Sequence, residues 1–363
     1  MNFKIILVVI LVFPLLLQAQ SKIPTEKKKN VNFAFIPIIT YNRSFGMQFG
    51  ALVNAYFDLN KNDTISPAST VNLVGNIFTN KTLFVGIFNK LYFDRDHWRT
   101  KFGVGYGDIR FQTYFDFDDV LPGLGVREEN GQFIDYQTKV LFLYGEAARL
   151  IVGRLYLGLR LVYSDLTTEF DTEFIPNEYV KLFGFGIVSE YDIRDNVFTP
   201  YKGMNARIRT FSFLESLGSS NTYHKINFEY NKYFPLSDES TILARFYGMV
   251  SVGSSIPFVG QNVIGRDDLR GYSDGKYRAN QVYDIQGEYR WTFYKKFGMV
   301  AFGGFALATD DFSGTNYSGI LPAIGAGLRY KAIPSRNINI GIDAAVGKGD
   351  WGLYFRIGEA FTR

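Results

Sequence analysis

The stretch "DIQGEYRWTF", residues 284–293, alternates strictly in character. On an extended chain Asp284, Gln286, Glu288, Arg290 and Thr292 fall on one face, and Ile285, Gly287, Tyr289, Trp291 and Phe293 on the other. "NINIGIDAAVG", residues 337–347, repeats the pattern: Asn337, Asn339, Gly341 and Asp343 oppose Ile338, Ile340, Ile342, Ala344 and Val346. A soluble sandwich would turn such an apolar face inward. Here two-faced segments fill nearly the whole chain, and aromatic residues crowd their ends, as in "NKLYFDRDHW" around Tyr92, Phe93 and Trp98. Both features point to the inverse arrangement, a transmembrane antiparallel β-barrel with an apolar exterior in lipid, a polar lumen and an interfacial aromatic girdle.

About sixteen segments have the length that a tilted strand needs to cross the hydrocarbon layer. They lie near 33–43, 45–58, 70–79, 82–93, 98–115, 136–150, 153–168, 180–192, 203–214, 222–234, 240–252, 281–294, 297–309, 319–331, 337–347 and 351–361. Tight connections such as Asn80-Lys81 and Gly153-Arg154 contrast with long ones at 116–135, 253–280 and 309–318, which reads as short periplasmic turns against long outer loops. Pro37 falls in the first segment, where it removes a ladder donor; in a barrel that strand closes against the last one, so the seam is expected to be poorly hydrogen-bonded.

Composition fits. Aromatics make up 17% of the 363 residues, more than a soluble domain needs, and no apolar run after residue 21 is long enough for a membrane helix. Lysine plus arginine outnumber aspartate plus glutamate by only 39 to 35, which gives no reason to expect a nucleic-acid partner. The start, "MNFKIILVVILVFPLLLQAQSK", has Lys4, an apolar run from Ile5 to Leu17, and small or polar residues at Ala19 and Gln20. That is the pattern of a secretory signal peptide over residues 1–20, followed by a short segment 21–32 and one barrel domain over 33–363. The absence of cysteine leaves neither a lipid-anchor site nor a disulfide framework.

Motifs of chemistry are scarce. His97 and His224 stand in no metal-ligand spacing, and no zinc-protease, nucleophile-elbow or Walker pattern occurs, so neither enzyme activity nor a cofactor is expected. "GVGYG", 103–107, lies inside an alternating strand and so reads as barrel wall. "DLNKND", 58–63, opens like a calcium loop but has Asp63 where glycine belongs and Ser69 where a bidentate glutamate belongs, which makes it a polar turn.

Three stretches together resemble the BamA/TamA family of outer-membrane barrels, the bacterial surface antigen family. "YDIRDNVFTPYKGM", 191–204, is similar to the family's strand-and-turn motif, carried here by Asp192, Arg194, Asp195, Pro200 and Gly203. Within the long segment "VIGRDDLRGYSDGKYRANQ", 263–281, Arg270, Gly271 and Tyr272 resemble the tip of the family's sixth outer loop. "LYFRIGEAF", 353–361, resembles its closing strand and assembly signal, with Phe355, Ile357, Gly358 and Phe361. The resemblance implies sixteen strands, a loop at 253–280 folded into the lumen, and an Arg270 paired with an acid on the twelfth barrel strand, for which Glu288 is the candidate. On the thirteenth, Gly304 stands where the family often has aspartate. About a dozen residues separate the leader from the first strand, too few for a periplasmic POTRA domain.

The expectation is therefore a POTRA-less, non-enzymatic barrel in the outer membrane of a Gram-negative bacterium. It would assist insertion or export of proteins or lipids, with outer-membrane lipids and assembly or export factors as partners. The alternatives are a passive solute pore and a structural barrel partner in a larger complex.

Overall fold

The computed structural model describes residues 31–42, 46–115, 132–173, 175–265, 269–272, 277–310, 318–334 and 337–361. The leader and the segment up to residue 30 lie outside these. Among the described residues sixteen strands form one antiparallel sheet, each next to its neighbours in chain order, and two short strands form a hairpin. The first strands are β1 (Val31–Asn42), β2 (Gly46–Phe57), β3 (Ser69–Phe78), β4 (Leu83–Phe93), β5 (Trp98–Phe115) and β6 (Gln132–Val152). Next come β7 (Leu155–Phe170), β8 (Glu178–Asp192), β9 (Gly203–Phe213), β10 (Tyr223–Ser237) and β11 (Ser240–Gly253). The hairpin β12 (Asn262–Ile264) and β13 (Tyr277–Ala279) sits inside the following connection. The sheet resumes with β14 (Gln281–Tyr294), β15 (Phe297–Thr309), β16 (Leu321–Ile333), β17 (Ile338–Gly347) and β18 (Asp350–Ile357). β1 and β18 approach each other at the seam, where no backbone ladder joins them among the described residues.

Burial follows the inverse pattern. On β14 Asp284, Gln286, Glu288 and Arg290 are buried while Ile285, Tyr289 and Trp291 are exposed. On β8 Glu190 and Asp192 point inward, and Tyr179, Phe183, Phe185, Ile187 and Tyr191 outward. In water such an apolar outer surface would be a large liability; in lipid it is the solvent-matched face. The girdle is real but divided: Phe93 and Trp98 stack at 6.5 Å, whereas Tyr92 joins the inner face, with the Arg99 guanidinium 5.7 Å from its ring.

Direction of travel, not length, decides where a connection lies. Successive strands reverse, so the turn at Asn80-Lys81 belongs to the same end as the long connections after β5 and β11. The expected division into short turns at one end and long loops at the other therefore fails. The opposite end has tight turns, such as Gly153-Arg154, but also two long spans, 58–68 and 193–202.

A second difference is at the C-terminus. β18 stops at Ile357 rather than running to residue 361. Gly358 adopts φ 77°, and Gly358 to Phe361 are all buried. Phe361 is thus inside, packed with Tyr233, Leu243 and Ala360, while Phe355 on the strand is exposed on the outer face.

Two outcomes follow from this arrangement. Leu159, 70% exposed on β7, faces lipid; Leu159→Arg should lower stability in vesicles by about 2–4 kcal/mol, whereas Leu59→Arg in the span 58–68 should change it by less than about 0.5 kcal/mol. Urea unfolding of the two variants checks this. Removing residues 353–363 takes away most of β18 and the buried tail, leaving backbone edges that lipid cannot satisfy. That truncation should give no heat-modifiable band in gels.

Candidate functional site

The connection between β11 and β14 crosses the lumen. Near its start the Phe258 ring meets Tyr136 of β6 and Phe170 of β7 edge-on, both at 5.1 Å between centroids. Further along, Ile264, Leu269 and Tyr272 pack against Val282 of β14, Ala306 of β15 and Leu321 of β16. The segment touches the wall on both sides, and most of its contacts are apolar. Tyr272 adds polar ones: its hydroxyl donates to the Pro322 carbonyl at 2.6 Å and accepts from the Lys348 amide at 3.0 Å.

Arg270 is 1% exposed. Its Nη2 donates to Glu288 Oε2 at 2.5 Å and its Nη1 to Asp343 Oδ2 at 2.8 Å. The guanidinium lies 3.3 Å from the centroid of the Phe302 ring. Glu288 is on β14 and Asp343 on β17, so one side chain joins two strands that are not neighbours. Gly271 must be glycine for two reasons: its φ is 118°, and a Cβ there would meet the Val346 backbone at 2.9 Å. Its amide donates to the Tyr354 hydroxyl at 2.8 Å.

Around this contact is a wider network that alternation along the strands does not by itself assemble. Glu288 Oε1 accepts from Arg290 Nε at 2.6 Å. Asp343 also accepts from Arg329 at 2.5 Å and from Arg356 Nε at 2.7 Å. Arg329 Nε in turn donates to Glu359 in the buried tail at 2.8 Å. Arg290 and Asp343 were visible as members of polar faces in the two alternating stretches. Glu359 was not, because an unbroken strand to Phe361 would have placed it elsewhere. Gly304 has no room for an acid: a Cβ there would lie 2.3 Å from the Ile285 carbonyl oxygen and 2.6 Å from Gln286 Cγ. Asp343 supplies the second carboxylate from another strand.

The strand-and-turn motif lies at the opposite end of the barrel and organises its own cluster. Asp192 accepts from Arg194 Nε and from Arg99 Nη1, both at 2.8 Å. Asp195 Oδ1 caps the turn by accepting the Tyr201 and Lys202 amides at 2.9 and 3.2 Å. Gly203 has φ 100°, and a Cβ there would stand 2.1 Å from the Ile193 carbonyl oxygen. Pro200 is linked to the loop network, since its carbonyl accepts from Arg290 Nη1 at 3.3 Å. The turn reaches well beyond its own strands: Phe198 packs edge-on to Tyr56 at 5.8 Å, and Thr199 donates to the Asn337 carbonyl at 2.5 Å.

The remaining candidates take plain roles. Asp63 accepts the Ile65, Ser66 and Arg95 amides and the Ser66 hydroxyl, so its oxygens are used in shaping the turn. The Ser66 backbone N–H, then the Ser66 hydroxyl, hold its carboxyl well below the usual range. His224 Nδ1 lies 3.0 Å from Ser212 Oγ on the outward face, away from the lumen. Among the described residues no cluster of potential metal ligands occurs.

The sequence matches no curated protein. Among solved structures the fold is similar to BamA from Haemophilus ducreyi lacking POTRA domains 1–3, with TM-score 0.60, 13% identity, and coverage of 92% of this chain and 71% of that one. It is also similar to CdiB from Acinetobacter baumannii, at TM-score 0.59 and 14% identity over 92% of this chain and 60% of that one. For CdiB from Escherichia coli the values are 0.61, 12%, 93% and 64%. The chain thus spans between 60% and 71% of these structures' lengths, and at such identities the likeness is one of fold. The family model described as the Omp85 superfamily domain matches residues 68–361, nearly the whole barrel including the lumen-crossing loop and the buried tail. The chain belongs to the Omp85 superfamily and is an outer-membrane β-barrel.

Proposed function

We propose that this barrel assists the insertion or export of proteins or lipids at the outer membrane without catalysing a reaction, with a lumen kept shut by the loop carrying Arg270. The observation that carries this reading is the grip of Arg270 on Glu288 and Asp343, two carboxylates on separate strands. A pore built to pass solutes has no use for a loop fastened across its bore, whereas a barrel that works at its wall needs the bore sealed. The wall itself offers a weak point. β1 and β18 meet without a ladder among the described residues, and Pro37, paired in register with Ala51 of β2, has no N–H to donate. A seam of this kind separates at lower cost than any other strand pair, toward lipid. The passive pore is the second reading, and the long connection alone would allow it; the buried ion pairs count against it.

Two measurements test the proposal. In planar bilayers the native barrel should show low, fluctuating conductance. Arg270→Ala cuts both carboxylate contacts and should raise it most, at a cost to loop docking on the order of 3–5 kcal/mol. Glu288→Ala leaves Arg270 with Asp343 and should have a smaller effect, and the double variant should be no worse than Arg270→Ala, because the residues act through one contact. Simple additivity would mean that the pair does not hold the loop. For assistance itself, vesicles containing the purified barrel should accelerate insertion of an unfolded eight-stranded barrel relative to vesicles containing a porin. Equal rates would exclude the assisting role and leave the pore or a structural part.

A further inference from the structure

The inner wall of β4, β5 and β6 departs from the rest of the lumen. Cross-strand register gives two successive rows there: Lys90, Lys101, Glu146 and Arg160, and above it Phe88, Gly103 and Tyr144. In the first row Lys90 stands directly opposite Lys101. Like charges facing each other across a ladder are destabilising, and such a breach of local rules without internal compensation marks a functional position. Glu146 does not relieve it. That carboxylate already holds Lys101 at 2.7 Å and Arg160 at 2.9 Å, and accepts the Tyr144 hydroxyl at 2.5 Å. The row therefore holds three cations and one acid, and that acid is taken by two of them. Lys90 makes no salt bridge with any described residue, Glu190 of β8 included. Glu190 is itself engaged by Arg207 at 2.5 Å and Asn205 at 2.8 Å.

One to three pleats along from Lys90 the same wall is aromatic. Phe84, Phe88 and Phe142 stack with near-parallel planes, their centroids 6.0–6.4 Å apart. Gly86, Gly103 and Gly105 leave the backbone bare beneath them, and a Cβ at any of these would strike a Phe88 or Phe142 ring at 2.6–2.8 Å. The rings lie flat on the wall because nothing projects under them. All three are only half-buried, although they point into the lumen. A polar lumen gains nothing from an apolar patch of this kind unless something apolar covers it.

We propose that this wall is a binding site for a single-chain amphiphilic anion, with the alkyl chain on the Phe84–Phe88–Phe142 face and the acid group on Lys90. Lys90 and Phe88 are successive inner-face residues of β4, about 7 Å apart along the strand, so head and chain can be engaged together. Three centroids within 6.4 Å offer the width of one chain and not of the two in a diacyl lipid. An ammonium with no salt bridge among the described residues calls for one negative charge, which would also relieve the Lys90–Lys101 repulsion. This inference goes beyond the proposed function and uses none of the loop contacts, so it stands or falls separately.

The test uses laurate bearing a diazirine at the end of its chain, photolysed with the purified full-length barrel in neutral detergent, and cross-links located by mass spectrometry. The strand carries its own control: Leu83, Val85 and Ile87 face the detergent belt, while Phe84 and Phe88 face the lumen. The expected result is labelling at Phe84, Phe88 or Phe142 that falls about tenfold in Lys90→Gln, the loss of one charge-assisted hydrogen bond, and is retained in Lys90→Arg. The matching neutral dodecanol probe should label the outer residues equally and the inner ones poorly. Labelling confined to Leu83, Val85 and Ile87 would overturn the proposal, and so would inner labelling that ignores both the probe's charge and Lys90. Unchanged outer labelling and heat-modifiable migration show that each variant is folded.

Discussion

A guanidinium removed from bulk water is tolerable only beside negative charge, and Arg270 meets that condition by touching two strands that do not touch each other. The rest of the site is arranged around this demand. Arg270, Arg290, Arg329 and Arg356 share Glu288, Asp343 and Glu359, one acid fewer than the cations require. The deficit is met by weaker acceptors: the Ala360 and Pro200 carbonyls take hydrogen bonds from Arg290, and the face of Phe302 lies against Arg270. Such a network contributes little net stability compared with an apolar core, but losing one member leaves others buried and uncompensated. It therefore specifies one position for the loop more than it strengthens the barrel.

The same physics in reverse shapes the outer surface. Lipid offers no hydrogen-bond partners, so every strand must be paired on both sides or sealed in some other way. Fourteen chain-order hairpin pairs and the β11–β14 pair meet this condition around most of the circumference. The seam between β1 and β18 is the exception among the described residues. A barrel with a tightly held loop and no seam ladder among the described residues has its strongest polar contacts in the bore and not at the seam.

Much of this is legible in the sequence because the solvent is inverted. Alternation in "DIQGEYRWTF" placed Glu288 and Arg290 on one face, and burial agrees residue by residue. Alternation could also put Asp343 on a polar face, but not opposite Arg270: which inward residues meet across a lumen depends on barrel curvature and on the path of the loop, and neither is written in a two-residue period. The inward tail was hidden for a local reason. Gly358 sits in a run that reads as strand to the end, and only its positive φ reveals the bend that buries Glu359 and Phe361. The Asn80-Lys81 turn lies at the same end as the long loops because strand parity, not connection length, decides where a connection falls.

Arg290 ties these parts together. Its three nitrogens reach Glu288 Oε1, the Ala360 carbonyl and the Pro200 carbonyl, so the loop's partner, the buried tail and the long turn at the opposite end share one side chain. That turn extends in turn to Tyr56 of β2 and to Asn337 beside β17. A planar guanidinium has a fixed fork of donors and cannot follow one acceptor without leaving the others. Glu288 and the two carbonyls together therefore fix Arg290 in one orientation. The loop's partner, the turn and the tail of the strand at the seam are thereby joined through a single rigid group.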